Sequence, residues 1–223
     1  MKLYISGCGT NLILFFLGYG QDPGPFQSLQ AYLPDDSALA LVYDYENDKE
    51  DFSCLENFSK VRIIAWSMGV VFAPRTVQKL HLNLEHCYAI NGTVEGIDDC
   101  FGIPLSAWNK TLEDLTDEKH ALNFYRLMCR KPALIKQYLE SRPKRDLKSL
   151  RNELEFIKAY CAGMLAVPAS FYDQAFCSLQ DVIMPPAAVK LSFKRAGVDI
   201  EELNSSHYDP EIFMRLITKP FLM

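Results

Sequence analysis

Val61-Arg62-Ile63-Ile64-Ala65-Trp66-Ser67-Met68-Gly69-Val70 is an apolar run that ends in a serine set between small residues, and its reading decides the fold. Val61 to Trp66 has the composition of a buried β-strand, and the residues from Met68 onward read as a helix. Ser67 therefore stands at the tip of a strand–turn–helix. Ala65-Trp66-Ser67-Met68-Gly69 has the small-x-Ser-x-small form that a nucleophile elbow needs. The serine backbone is strained there, and larger flanking side chains would clash where strand and helix cross. Such an elbow lifts the Ser67 hydroxyl above the carboxyl edge of a parallel sheet. It also puts the Met68 N–H at a helix start, where it can stabilise an oxyanion. The same pattern describes an ordinary strand–turn–helix with a capping serine, so the reading depends on the rest of the chain.

Upstream, Leu12 to Leu17 is a continuous apolar run, the mark of a strand buried on both faces. It feeds the glycine-rich loop Gly18 to Gly24, at the end of the strand where open α/β sheets place their sites. Taken alone the loop is equally a simple strand-to-helix turn; under an elbow reading, its Tyr19 amide supplies the second oxyanion donor. Met1 to Ser6 is expected as a short edge strand and Ala38 to Tyr45 as another buried one. A helix from Met68 to about Leu82 should kink or stop early at Pro74, and His86 to Asn91 forms the next strand. Strands separated by helical stretches imply a mostly parallel sheet flanked by helices.

From about residue 103 to 164 the strands stop. Helical patterns run over Leu112 to Cys129, Pro132 to Ser141 and Asp146 to Met164, the last with Leu150, Leu154, Ile157, Cys161 and Met164 on one face. This reads as a helical lid inserted over the strand ends, with plain coverage of a sheet face as the alternative. A strand within Phe171 to Leu179, a helix over Val189 to Gly197, a last strand at Val198 to Leu203 and a loop from Asn204 to Pro210 lead to a final helix.

At 223 residues, the chain is sized for one domain with a full core. A net charge of −5 argues against general nucleic-acid binding, and Leu12 to Leu17 is too short to span a bilayer. Seven cysteines without a C-x-x-C spacing fit reduced cytosolic thiols, and no H-E-x-x-H pair supports a metal hydrolase.

A serine nucleophile needs a base. His207 lies in the loop after the last expected strand, whereas His81, His86 and His120 read as surface or packing residues. The order Ser67, Asp181, His207 is the nucleophile–acid–histidine order of α/β-hydrolases, with Asp22, Asp44 and Asp209 as fallback acids.

The segments Phe16 to Gly20, Val42 to Tyr45, Ile64 to Val70, Ala89-Ile90-Asn91-Gly92-Thr93, Gly102 to Pro104 and Phe124 to Cys129 together resemble the BioG-type pimeloyl-acyl-carrier-protein methyl ester esterases of biotin synthesis. The resemblance implies an α/β-hydrolase that removes the methyl cap from a pimeloyl chain on acyl carrier protein; the reduced thiols suit a cytoplasmic setting, and a serine mechanism calls for no metal or organic cofactor. Two departures from the wider hydrolase pattern, Leu17-Gly18 in the oxyanion loop and Ala65 in the elbow, leave the backbone donors in place.

In this setting the candidate substrate-lining residues are Trp66, Trp108, Phe124, Leu127 and Met128, with core packing an equally good account of the last four. The stretch from Arg126 to Arg151 is locally basic in an acidic chain. Its Arg130, Arg142, Lys144, Arg145 and Lys148 are candidates for docking an acidic carrier protein, unless they form only a solvated helix face. Another acyl esterase or thioesterase, or a carrier-binding protein without turnover, are the alternative functions.

Overall fold

The computed structural model describes residues 1–163 and 167–222. A seven-stranded sheet forms its centre, with spatial order β1-β3-β2-β4-β5-β6-β7. The strands are β1 (Lys2–Gly7), β2 (Asn11–Phe16), β3 (Ser37–Tyr43), β4 (Lys60–Trp66), β5 (Leu84–Ile90), β6 (Gln174–Ser178) and β7 (Asp199–Leu203). Only β1 runs antiparallel to its neighbour, so the expected edge strand also starts the sheet in the opposite sense.

The apolar runs are continuous because both sheet faces are covered. Along β2, Leu12, Leu14 and Phe16 enter one core cluster while Ile13 and Phe15 enter the other. The first cluster takes α1 (Gly69–Val77), α5 (Leu147–Gly163) and α6 (Pro186–Arg195). The second takes α7 (Pro210–Ile217), together with residues of α3 (Glu118–Cys129) and α4 (Pro132–Glu140).

The elbow helix α1 does end early, at Val77, three residues beyond Pro74. Proline cannot donate to the carbonyl four residues back. That carbonyl, on Val70, instead accepts the Tyr172 hydroxyl at 2.9 Å.

Between β5 and β6 the chain forms α2 (Leu105–Asp114), α3, α4 and α5. The pattern expected as one helix over Leu112 to Cys129 is thus two. Asp117 starts the second, its carboxylate accepting from the His120 N–H at 3.0 Å. Met164, placed on the buried face of α5 by its spacing, lies outside the described residues. The indole of Trp108 on α2 donates to the Leu154 carbonyl at 3.2 Å and joins α2 to α5. Among the described residues no helix is long and apolar enough to cross a membrane, and all seven cysteines are free thiols.

Candidate active site

The carboxyl ends of five strands converge on Ser67. β4 ends at Trp66, one residue before the serine, and Ser67 holds φ at 56°, a left-handed conformation uncommon for a non-glycine residue and in keeping with the strained elbow. The small residues are needed for the reason the motif suggests. A Cβ on Gly69 would lie 2.3 Å from the Phe16 carbonyl oxygen at the end of β2. Gly92 is as crowded, since its Cβ would lie 2.2 Å from the Ser67 carbonyl oxygen. Gly18, in the loop after β2, packs its α-carbon against Ser67, where a Cβ would stand 3.0 Å from the serine's own.

β6 leads to Asp181 and β7 to His207, and these three side chains form one hydrogen-bonded line. Asp181 Oδ2 lies 2.7 Å from His207 Nδ1, and His207 Nε2 lies 2.9 Å from Ser67 Oγ. A carboxylate accepting from Nδ1–H leaves Nε2 as the acceptor for the serine proton, so the geometry suits base-assisted attack by Ser67. The other oxygen of Asp181 accepts the Ile183 and Met184 amides at 2.8 and 2.9 Å, which fixes the carboxylate's rotation. The fallback acids are occupied elsewhere: Asp22 accepts the Gly24 and Lys144 amides, Asp44 pairs with Lys2 and Arg145, and Asp209 caps α7.

Trp66 and Met128 do not line a substrate path, which corrects the expectation for both. Trp66 is fully buried in the second core cluster, and its indole N–H donates to the His207 carbonyl at 2.9 Å. Strand alternation puts it on the same face as Ile64, behind the histidine. Met128 is likewise a core residue, and it is its carbonyl that holds the Tyr208 amide at 3.1 Å. The remaining three expectations do meet at one place. Trp108, Phe124 and Leu127 line a cavity of about 250 Å³ over Ser67, with Tyr19 and Met68 beside the serine. The Tyr19 ring meets Phe124 and Trp108 edge-on, with centroids 5.4 and 6.3 Å apart. Among the described residues the Tyr19 and Met68 amides have no protein acceptor. His120, expected as a surface or packing residue, also reaches the cavity wall, though its ring is tied to Asp117 at 2.9 Å.

Two residues that hold this site carry signals in the sequence. Asn91 adopts φ 47° and bridges three strand ends. Its amide donates to Ser178 Oγ at 2.8 Å and to the His207 carbonyl at 2.9 Å, and its oxygen accepts the Ser178 N–H. The Asn91-Gly92 pair closing a strand is the visible sign, since asparagine and glycine tolerate such turns. Glu153 is the second, an acid three residues after Leu150 on the apolar face of α5. It is fully buried and accepts the Gly20 and Tyr45 amides, each at 3.1 Å. Burial pushes its carboxyl up to about 7, against the opposing pull of Arg145 and these amides.

Arg145 corrects the docking expectation, because its guanidinium faces inward with 7% of the side chain exposed. It pairs with Glu153, Asp44 and Glu46 at 3.1, 3.0 and 3.4 Å. Arg130, Arg142, Lys144 and Lys148 are exposed. The last three edge a groove of about 1090 Å³ that shares Ala121, Tyr125 and Leu150 with the cavity over Ser67, and that also carries Asp22, Glu118, Glu140 and Asp146.

A mostly parallel sheet with the elbow at a central strand end, an acid after β6 and a histidine after β7 defines an α/β-hydrolase. Solved hydrolases share the fold: the esterase EaEST of Exiguobacterium antarcticum superposes with a TM-score of 0.71 over 96% of this chain and 93% of its own, at 12% identity. The chain belongs to the BioG family, whose model, described as pimeloyl-ACP methyl esterase BioG, matches residues 1–218. The crystal structure of BioG from Haemophilus influenzae is similar at a TM-score of 0.85 and 30% identity, covering 97% of this chain and 100% of that one. A malonyl-[acyl-carrier protein] O-methyltransferase of Bacteroides fragilis is 31% identical over 212 residues, 93% of this chain. This chain spans only 42% of that relative's length. Family and fold together place the chain among the α/β-hydrolases of the BioG family.

Proposed function

We propose that this chain hydrolyses the methyl ester of a pimeloyl group carried on acyl carrier protein, releasing methanol. The observation that carries the reading is the unbroken line from Asp181 through His207 to Ser67 at the floor of a largely apolar cavity. Ser67 Oγ attacks the ester carbonyl as its proton passes to His207 Nε2, while Asp181 holds the ring and stabilises the imidazolium. The Tyr19 and Met68 amides receive the oxyanion. Collapse of the tetrahedral species expels methanol with the proton from Nε2. Water then attacks the acyl-serine by the same route and restores the free hydroxyl. The chain's own side chains supply each proton transfer, so the scheme uses no added cofactor.

Substrate identity draws its support from the family's description and from the name of the Bacteroides fragilis relative, both of which concern methyl esters of acyl groups on the carrier protein. Trp108, Phe124 and Leu127 offer an apolar wall to a linear acyl chain. The segment α2 to α5 acts as the lid of the site, and the exposed Arg130, Arg142, Lys144 and Lys148 dock the acidic carrier in the cytoplasm.

The test is hydrolysis of pimeloyl methyl ester on the carrier, followed by the carrier's change in electrophoretic mobility. Wild type should convert it and Ser67→Ala should not. Equal conversion of a free methyl ester of the same acid would favour a general esterase. Folded wild-type protein that binds the carrier without turnover would favour an interaction protein.

A further inference from the structure

The loop that carries Tyr19 is shaped less by the sheet before it than by the helical segment above it. Gly20 holds φ at 72°, and its N–H donates to Glu153 on α5 while its carbonyl accepts the Tyr125 hydroxyl from α3 at 3.1 Å. The Gln21 carbonyl accepts Arg145 at 3.1 Å, and its side-chain oxygen accepts the Tyr138 hydroxyl from α4 at 2.6 Å. Its side-chain nitrogen returns to the Tyr19 carbonyl at 3.3 Å. Glu153 and Arg145 also tie this loop to the segment after β3, through the Tyr45 amide and through Asp44 and Glu46.

Burying a glutamate and an arginine together is an expensive way to fill a core, since well-packed apolar residues of similar volume often serve stability as well or better. The pair makes two of the four contacts to Gly20 and Gln21, Glu153 accepting the Gly20 amide and Arg145 donating to the Gln21 carbonyl, and these give it another use. We propose that Glu153 and Arg145 are positioning residues that hold the Tyr19 amide over Ser67 Oγ as one half of the oxyanion hole. This rests on the reading of Ser67 as nucleophile. The helical segment then takes part in the chemistry rather than only covering it, and α5 stays seated during turnover, because lifting it would release Gly20 and Tyr45 together.

The contribution should appear in the transition state and not in ground-state binding. Glu153→Gln keeps the shape but turns an amide N–H toward one of the two backbone donors. Hydrolysis of p-nitrophenyl butyrate should then lose about 30- to 100-fold in kcat with KM nearly unchanged, the scale of a misplaced oxyanion donor. A trifluoromethyl ketone, which forms a tetrahedral adduct on the serine, should lose affinity by the same factor, while an unreactive amide of the same chain binds as before. Tyr125→Phe deletes a single hydrogen bond to Gly20 and should show the same pattern at lower amplitude; it also serves if Glu153→Gln fails to fold. Rates within about threefold of wild type in the folded variants, or parallel loss of ketone and amide binding, would overturn the proposal. Ser67→Ala separates the two ideas. Hydrolysis persisting in that variant would sink the nucleophile reading and this proposal with it, whereas Ser67-dependent hydrolysis unharmed in Glu153→Gln would sink this one alone.

Discussion

Replacing Asp181 by Asn tests the line of hydrogen bonds without changing its shape. One oxygen of the carboxylate accepts the Ile183 and Met184 amides, and the other accepts His207 Nδ1–H. In Asp181→Asn the amide oxygen must stay with the two backbone N–H groups. The flipped orientation would leave both donors unpaired against an NH2 group, at a cost of about 2–5 kcal/mol. The NH2 therefore faces His207 and donates to Nδ1, which puts the ring proton on Nε2, where it can no longer take one from Ser67. A wrong tautomer at such a site lowers kcat by about 10⁴, or about 5 kcal/mol of barrier. The assay is kcat on a small chromogenic ester, with the rate of fluorophosphonate labelling at Ser67 measured in parallel and thermal unfolding as the control for fold. Both rates should fall together while the unfolding midpoint stays close to wild type. An Asn variant that folds normally and retains activity within about tenfold would refute the assignment of Asp181.

Further outcomes follow from the same geometry. Reversing Arg142, Lys144 and Lys148 to Glu should weaken turnover of carrier-linked ester by about tenfold or more at low salt and leave a small ester untouched; equal losses on both would end the docking idea. Raised by burial from an ordinary 4.5 to about 7, Glu153 takes stability away as pH climbs between those values, by an amount of order 3 kcal/mol. The sign follows from proton counting, since the folded state keeps a proton that the unfolded chain has lost. Unfolding midpoints of wild type should therefore drop across this window more than those of Glu153→Gln, and matching slopes would contradict it. Cys8, Cys54 and Cys100 are exposed, whereas burial raises Cys87 and Cys129 to about 12 and Cys161 and Cys177 to about 11. A thiol reagent at mildly alkaline pH should modify the first three quickly, the half-buried Cys161 more slowly, and Cys87, Cys129 and Cys177 only on unfolding; fast reaction at Cys129 would show that α3 does not pack as described.

The parts of this account legible in the sequence are those whose signal is local. Buried parallel strands are short apolar runs between turn residues, and an elbow needs small neighbours within two positions of its serine, so β2, β4 and Ser67 declare themselves. The break before α3 has a local cause too, the capping residue Asp117, but the expectation of one helix over Leu112 to Cys129 passes over it because the apolar spacing on either side looks continuous. Trp66 shows a different limit, because nearness to Ser67 along the chain says nothing of direction, and strand alternation turns its ring away from the cavity. Arg145 is the clearest case of a signal the sequence does not hold. Its charge looks like that of its exposed neighbours Arg142 and Lys144, and its burial is decided by Asp44 and Glu46, about a hundred positions away in the chain.

The central claim is that Ser67 opens a methyl ester on the carrier through an acyl-enzyme. Its most direct test is turnover of pimeloyl methyl ester on acyl carrier protein in heavy-oxygen water, with the carrier and the released alcohol read by mass spectrometry. Attack at the acyl carbon puts the heavy oxygen in the carboxylate left on the carrier and none in methanol, and Ser67→Ala leaves the ester intact. Heavy oxygen in methanol, conversion by Ser67→Ala, or an ester untouched by folded wild-type protein would contradict the account.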